Sequence, residues 1–239
     1  MVVYNFIPKE GSPMKQKKNW LAVVLYIVLI ASLLLYAKYS ASNLQPQHIK
    51  GQWTTTVSAT GYIADMVKAG LGVECQVEEE LEITYVFEYF EDGSMTLCLD
   101  TGSAQALVDA LKKNIEKTLP DALYSSYEKS NSFSREETDA YLSIQGTNID
   151  TLVQESMASI DFTGILNRET TPMVMHYLLK DNQLYYASSH ETLEAGQHEL
   201  RVDISLKGKT LLLSNAIDGE GNPYEGSAVV KYPMTLTKK

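Results

Sequence analysis

The chain has 239 residues, 20 basic and 30 acidic side chains, a formal net charge of −10 and only two cysteines. That length supports one domain with a sizeable core, while the acidic balance argues against nucleic acid or anionic surfaces as partners. Two cysteines exclude a disulfide framework and a cysteine-based metal cluster, and fifteen tyrosines against five phenylalanines point to many rings with one wet end.

Lys15, Lys17 and Lys18 precede an uncharged run from Trp20 to Ala37. At about 1.5 Å per residue this run makes a helix of roughly 27 Å, close to the hydrocarbon thickness of a bilayer. Trp20, Tyr36 and Tyr39 stand at its ends, where amphipathic rings settle at headgroup level. The expectation is a cytoplasmic tail over 1–19, a single-pass transmembrane helix over 20–37 acting as a signal anchor, and a polar linker over 38–50. Residues 51–239 then form an extracytoplasmic domain. The rival reading is a cleaved signal peptide beginning at Met14, with Ser40-Ala41-Ser42 as the cleavage site. The run is longer than such peptides usually carry, and Lys38 and Tyr39 interrupt its far end, which favours the anchor; both readings export the rest. Without the tail and anchor, which hold four lysines and Glu10, 16 basic and 29 acidic residues remain, a net charge near −13. The chain has no Asn-x-Ser/Thr sequon, which favours a bacterial cell envelope.

Gly51-Gln52-Trp53-Thr54-Thr55-Thr56-Val57 reads as a first strand, and Tyr62, Ile63, Met66 and Val67 as a short helix closed by Gly70. Leu81, Ile83, Tyr85, Phe87 and Tyr89 alternate with Glu82, Thr84, Val86 and Glu88, the pattern of a strand with one buried face. A two-residue turn at Asp92-Gly93 would mix the faces of this strand and the next. A three-residue loop with Gly93 left-handed instead pairs Tyr89 with Met95, Phe87 with Leu97 and Tyr85 with Leu99, and puts Cys98 outside, opposite Val86. From 101 to 170 the period becomes helical. Ala104, Leu107, Val108, Leu111 and Ile115 form a stripe expected to break before Pro120, and Ser134-Arg135-Glu136-Glu137 matches a capping box. Strand patterns return over 173–180, 183–188, 200–206, 210–214, 227–230 and 233–237. Asp181-Asn182 suits a type I′ hairpin turn and Gly208-Lys209 a type II′ turn. The expected fold is mainly β: an antiparallel up-and-down barrel or curled sheet of about eight strands with a helical insertion.

Gly51-Gln52-Trp53 at the head of the first strand, the short helix after it and the run of hairpins resemble the lipocalin-like (calycin) domain. The layout is similar in particular to membrane-tethered lipocalin-like proteins of Gram-positive bacteria with acidic helical insertions. The resemblance covers 51–100 and 171–239. It implies that Gly51 permits a tight start and that Trp53 plugs the closed end of the barrel. The other lipocalin signatures, a Thr-Asp-Tyr turn and a late Arg over the Trp, have no clear match.

No catalytic residue can be named. Phosphate-binding loops, nucleophile elbows and Cys/His dyads are absent from the sequence. His190, Glu194 and His198 recur every four residues but do not form His-Glu-x-x-His, and Asp218 to Glu225 lacks the glycine and final glutamate of a calcium loop. No metal or other cofactor is therefore expected. Glu78-Glu79-Glu80 reads as a solvated face. A single Cys75–Cys98 disulfide is allowed by the compartment. Tyr85, Phe87, Tyr89, Tyr177 and Tyr186, on inward positions, either line a ligand cavity or fill the core. The functional expectation is a non-catalytic, membrane-anchored module for a small amphipathic ligand or an envelope protein, without nucleic acid. The alternatives are an accessory subunit using the helical insertion as a contact surface and, third, a hydrolase.

Overall fold

The computed structural model describes residues 28–32, 43–227 and 230–239. Most of the expected anchor, 20–37, and all of the tail lie outside the described residues. Residues 28–32 are helical, with Val28 and Leu29 more than half exposed. No helix among the described residues is long and apolar enough to cross a membrane. Residues 44–239 form a compact unit of their own.

That unit is built on a closed antiparallel barrel of eight strands, each hydrogen-bonded to its sequence neighbours, with the last returning to the first. The strands are β1 (Gly51–Ser58), β2 (Glu82–Tyr89), β3 (Ser94–Leu99), β4 (Met173–Lys180), β5 (Gln183–Ala187), β6 (Leu200–Lys207), β7 (Thr210–Asp218) and β8 (Met234–Lys238). The β2–β3 register is the one that the alternation of β2 predicts: Tyr89 opposite Met95, Phe87 opposite Leu97, Tyr85 opposite Leu99 and Val86 opposite Cys98. Gly93 sits in the loop with φ 81°, and a Cβ there would come within 3.1 Å of the Tyr177 carbonyl oxygen. Asp181 and Asn182 both have positive φ, as a type I′ turn requires, and set Leu179 opposite Leu184. In the second hairpin Gly208 supplies the left-handed residue and Leu206 faces Leu211. The barrel closes narrowly. β1 pairs with β2 along its whole length, but with β8 only at Trp53–Lys238 and Thr54–Thr237.

Three sequence expectations change. Of the expected strand 227–230, residues 228 and 229 lie outside the described residues, and the Ser227 N–H donates to the Val230 carbonyl beside the Gly226–Lys231 bridge instead of pairing with a neighbouring strand, whereas β7 runs on to Asp218. The helix after β1, α2 (Thr60–Leu71), is closed by Gly72 at φ 70° rather than by Gly70. Helix α3 (Thr101–Asn131) runs through Pro120 without a break. Its buried stripe continues through Asn114, Ile115, Thr118 and Leu119, so side-chain packing holds the turn where proline removes one backbone hydrogen bond. The remaining insertion helices are α4 (Arg135–Ile144), α5 (Ile149–Ser159) and α6 (Phe162–Thr170). The Ser134–Glu137 capping box is present, with Ser134 N–H donating to Glu137 Oε2 at 2.8 Å. Glu78, Glu79 and Glu80 are exposed, as a solvated face should be, and Glu78 and Glu79 pair with Lys117 and Lys113 on α3 at positions where such pairs add little stability.

Two apolar cores divide the unit. One fills the barrel around Trp53, Tyr89, Leu184, Leu211 and Leu236. The other joins Ile83 and Leu99, at the far ends of β2 and β3, to Ile63 and Val67 of α2 and Leu107 and Leu111 of α3. The helical insertion therefore packs over one side of the barrel's second end, leaving the other side free for a cavity.

Candidate ligand cavity

The two barrel ends differ because their inward side chains differ. At the end where β1 begins, a short helix, α1 (Pro46–Ile49), leads into Gly51, whose φ of 104° suits glycine. Trp53 is fully buried there. Its Nε1–H donates to the Ile49 carbonyl at 2.6 Å, and the Lys238 ammonium lies 5.3 Å from the ring centroid.

In the same core as Trp53, three tyrosines spend their hydroxyls inside the protein. Tyr89 and Tyr186 join hydroxyl to hydroxyl at 2.7 Å, Tyr177 packs edge-on to Tyr89 at 5.3 Å, and the Tyr177 hydroxyl donates to the Phe90 carbonyl at 2.6 Å. All three are buried. Burial pushes the Tyr89 and Tyr186 phenols well above the usual range and raises Tyr177 to about 12, so all three stay neutral. As candidates for a ligand cavity, Tyr89, Tyr177 and Tyr186 are therefore corrected to core residues: their hydroxyls are spent and their rings fill the barrel.

Tyr85 and Phe87 behave differently. They lie toward the second end, on the wall of a cavity of about 470 Å³. One wall is the cross-strand row Phe87–Leu97–Met173, which the β2–β3 and β3–β4 registers bring side by side, with Met175 beside it. The opposite wall is Leu200 and Asp218, paired across β6 and β7, with Glu199 next to them. The loop between β7 and β8 supplies Tyr224, Ser227, Val230 and Tyr232. This loop is held by its own hydrogen bonds. Asp218 Oδ1 accepts from the N–H groups of Glu220 and Asn222 at 3.0 and 2.8 Å, and the Tyr232 N–H donates to the Glu225 carbonyl at 2.9 Å. Those donors hold the Asp218 carboxyl below the usual carboxylate range. The Asp218 segment is thus a polar turn, as its spacing suggests.

Among the described residues, the hydroxyls of Tyr85 and Tyr232 have no hydrogen-bond partner, although desolvation lifts each phenol to about 12. Tyr232 packs against Tyr224 with ring centroids 6.1 Å apart and planes tilted by 53°. The cavity thus combines an apolar lining, three aromatic hydroxyls and two carboxylates, a composition suited to an amphiphile. Leu97, Met173 and Met175 were legible as inward positions two residues from others already assigned. Tyr224 and Tyr232 carry no periodic signal, because they reach the cavity from a loop, and Val230 reaches it from the same loop although its sequence pattern suggests a strand.

The other candidate chemistry does not assemble. His190 and Glu194 approach to 3.3 Å on a short helix, α7 (His190–Glu194), but His198 stacks edge-on against Tyr185 at 5.2 Å. No group of three or more potential metal ligands occurs among the described residues. The disulfide that the sequence allows is not formed. Both cysteines are free thiols, Cys75 accepting from the Thr118 hydroxyl at 3.5 Å against α3 and Cys98 lying on the outer face of β3. Cys75 lies in the connection between α2 and β2 and Cys98 on β3, so each thiol has its own surroundings. Compared with known proteins, the chain matches no family model, no curated protein and no solved structure.

Proposed function

We propose that residues 44–239 are a non-catalytic, lipocalin-like binding module that holds a small amphipathic molecule in the cavity at the open end of its barrel. The observation that carries this reading is the division of the tyrosines. Those near Trp53 are hydrogen-bonded to each other or to the backbone, whereas Tyr85 and Tyr232, whose hydroxyls have no hydrogen-bond partner among the described residues, line a largely apolar cavity of about 470 Å³. The Gly51-x-Trp53 motif at the filled end and the sequential eight-strand closure support the lipocalin-like assignment. The uncharged run over 20–37 after three lysines supports a single-pass tether with the barrel outside the membrane.

The test is binding of N-phenyl-1-naphthylamine, an uncharged apolar fluorophore, to the full-length protein. The wild type should enhance its fluorescence saturably. Leu97→Trp, which fills the cavity from its wall, should abolish the enhancement while the far-ultraviolet circular dichroism is unchanged. Equal binding by a folded Leu97→Trp protein contradicts the reading. The tether has its own test: protease added to intact cells should remove the domain, and full protection contradicts export.

A second reading draws on the insertion. Ile144 on α4 is 82 % exposed and Tyr141 beside it 41 %, which favours a protein contact for an accessory subunit. Ile144→Glu would disrupt such a contact and leave fluorophore binding intact.

A further inference from the structure

Resting on the cavity reading, we infer that the cavity selects amphiphiles with an ammonium head, primary or quaternary, over anionic ones. Among the described residues, the charged groups lining it are Glu199 and Asp218, with no lysine or arginine beside them on the lining. Asp218 is anchored as a carboxylate by the backbone N–H groups of its own loop, and Glu199 Oε1 accepts from the Ser188 N–H at 3.0 Å. Both charges are thus held in place by the backbone at the cavity wall. Glu169 adds a further negative potential at the Tyr85 phenol, with Arg168 already paired to Glu169 at 3.1 Å. Lys231 precedes Tyr232 but lines the separate groove between β1 and β8.

The aromatic groups agree with the charges. Tyr224 and Tyr232 form a tilted pair on the β7–β8 loop, and Tyr85 lies on β2. An electron-rich ring face attracts a cation, most strongly where water is partly excluded. The wall of Phe87, Leu97, Met173 and Met175 is apolar and would take the tail. A carboxylate-headed ligand would meet two fixed carboxylates with no neutralising base on the lining, so its binding is opposed by the same field.

The experiment uses the full-length protein and three ligands with one hexyl tail: hexyltrimethylammonium, 1-hexanol and hexanoate. Each is titrated as a competitor of N-phenyl-1-naphthylamine. Hexyltrimethylammonium should displace the fluorophore at about tenfold lower concentration than hexanol, with hexanoate weakest, as expected for a charge at contact distance in a partly screened site. In the Glu199→Gln/Asp218→Asn double variant, whose amides can still accept the same N–H donors, the preference should shrink to about threefold or less. Glu116→Gln, on the exposed face of α3, should keep the full preference. Equal displacement by all three ligands overturns the inference and leaves the cavity reading standing. A preference that persists in the double variant, or falls equally in Glu116→Gln, overturns it too, because the general negative field of the domain then accounts for it. Failure of the fluorophore to bind overturns the cavity reading and this inference together.

Discussion

Tyr89 and Tyr186 face each other from β2 and β5, strands that are not neighbours, and their hydroxyls meet at 2.7 Å inside the barrel. Each phenol is the other's partner, so the pair fixes how the two sides of the barrel meet. Removing one hydroxyl strands the other in an apolar interior. Tyr89→Phe or Tyr186→Phe alone should cost about 1–3 kcal/mol, whereas the double variant should cost less than the two singles added together. Urea unfolding followed by circular dichroism measures all three, and strict additivity would mean that the hydroxyls do not interact.

Trp53→Ala should be the most damaging single change in the barrel. It removes a fully buried indole, its hydrogen bond to Ile49 and the ring beneath Lys238. Large-to-small changes of this kind cost about 3–5 kcal/mol, a large share of the roughly 5–15 kcal/mol that holds a domain together. A change of under 1 kcal/mol in urea unfolding would make Trp53 peripheral and weaken the lipocalin-like reading.

Gly93→Ala should cost about 1–2 kcal/mol, because left-handed backbone disfavours a Cβ. The new methyl would also crowd the Tyr177 carbonyl, whose own N–H donates to the Gly93 carbonyl at 2.6 Å. Gly146→Ala has the same kind of backbone but nothing near its Cβ, and serves as the comparison. Equal unfolding midpoints for the two variants would remove the role assigned to the Tyr177 contact.

Alkaline pH should unfold the domain through its tyrosines. Burial raises Tyr85, Tyr177 and Tyr232 from 10.0 to about 12, and Tyr89 and Tyr186 higher still. The unfolded chain therefore releases protons that the folded one retains. This stability is fully present below the unfolded value near 10 and is lost as pH rises toward the folded values. Tyrosinate absorbance should show a group of phenols that ionises only together with the loss of circular dichroism. A single smooth titration of all fifteen tyrosines in folded protein would contradict the burial assigned to them.

Much of the barrel was legible because period-two alternation and turn chemistry constrain register together. Leu81 to Tyr89 fixes one face, Gly93 fixes the loop length, and the pairs Tyr85–Leu99 and Phe87–Leu97 follow. Trp53 was recognisable from Gly51-x-Trp53, and the capping box at Ser134 announced its helix. What sequence pattern could not separate was cavity from core. Tyr85 and Tyr89 are both inward on one strand, and only the partners across the barrel decide that one hydroxyl is spent and the other free. The β7–β8 loop was equally opaque, since Tyr224 and Tyr232 gain their role from a fold-back held by Asp218. Pro120 reads as a helix stop, but the burial of Thr118 and Leu119 beside it carries the helix through.

The most direct test of the ligand cavity is methyl NMR of the methionines during titration with N-phenyl-1-naphthylamine. Met173 and Met175 lie on the cavity wall, while Met95 and Met234 are buried in the core that surrounds Trp53. Ring currents from a bound naphthyl group should shift the Met173 and Met175 methyl signals saturably and leave those of Met95 and Met234 nearly still. Shifts confined to Met95 and Met234, or no methyl shift while the fluorophore binds, would contradict the assignment of the cavity as the binding site.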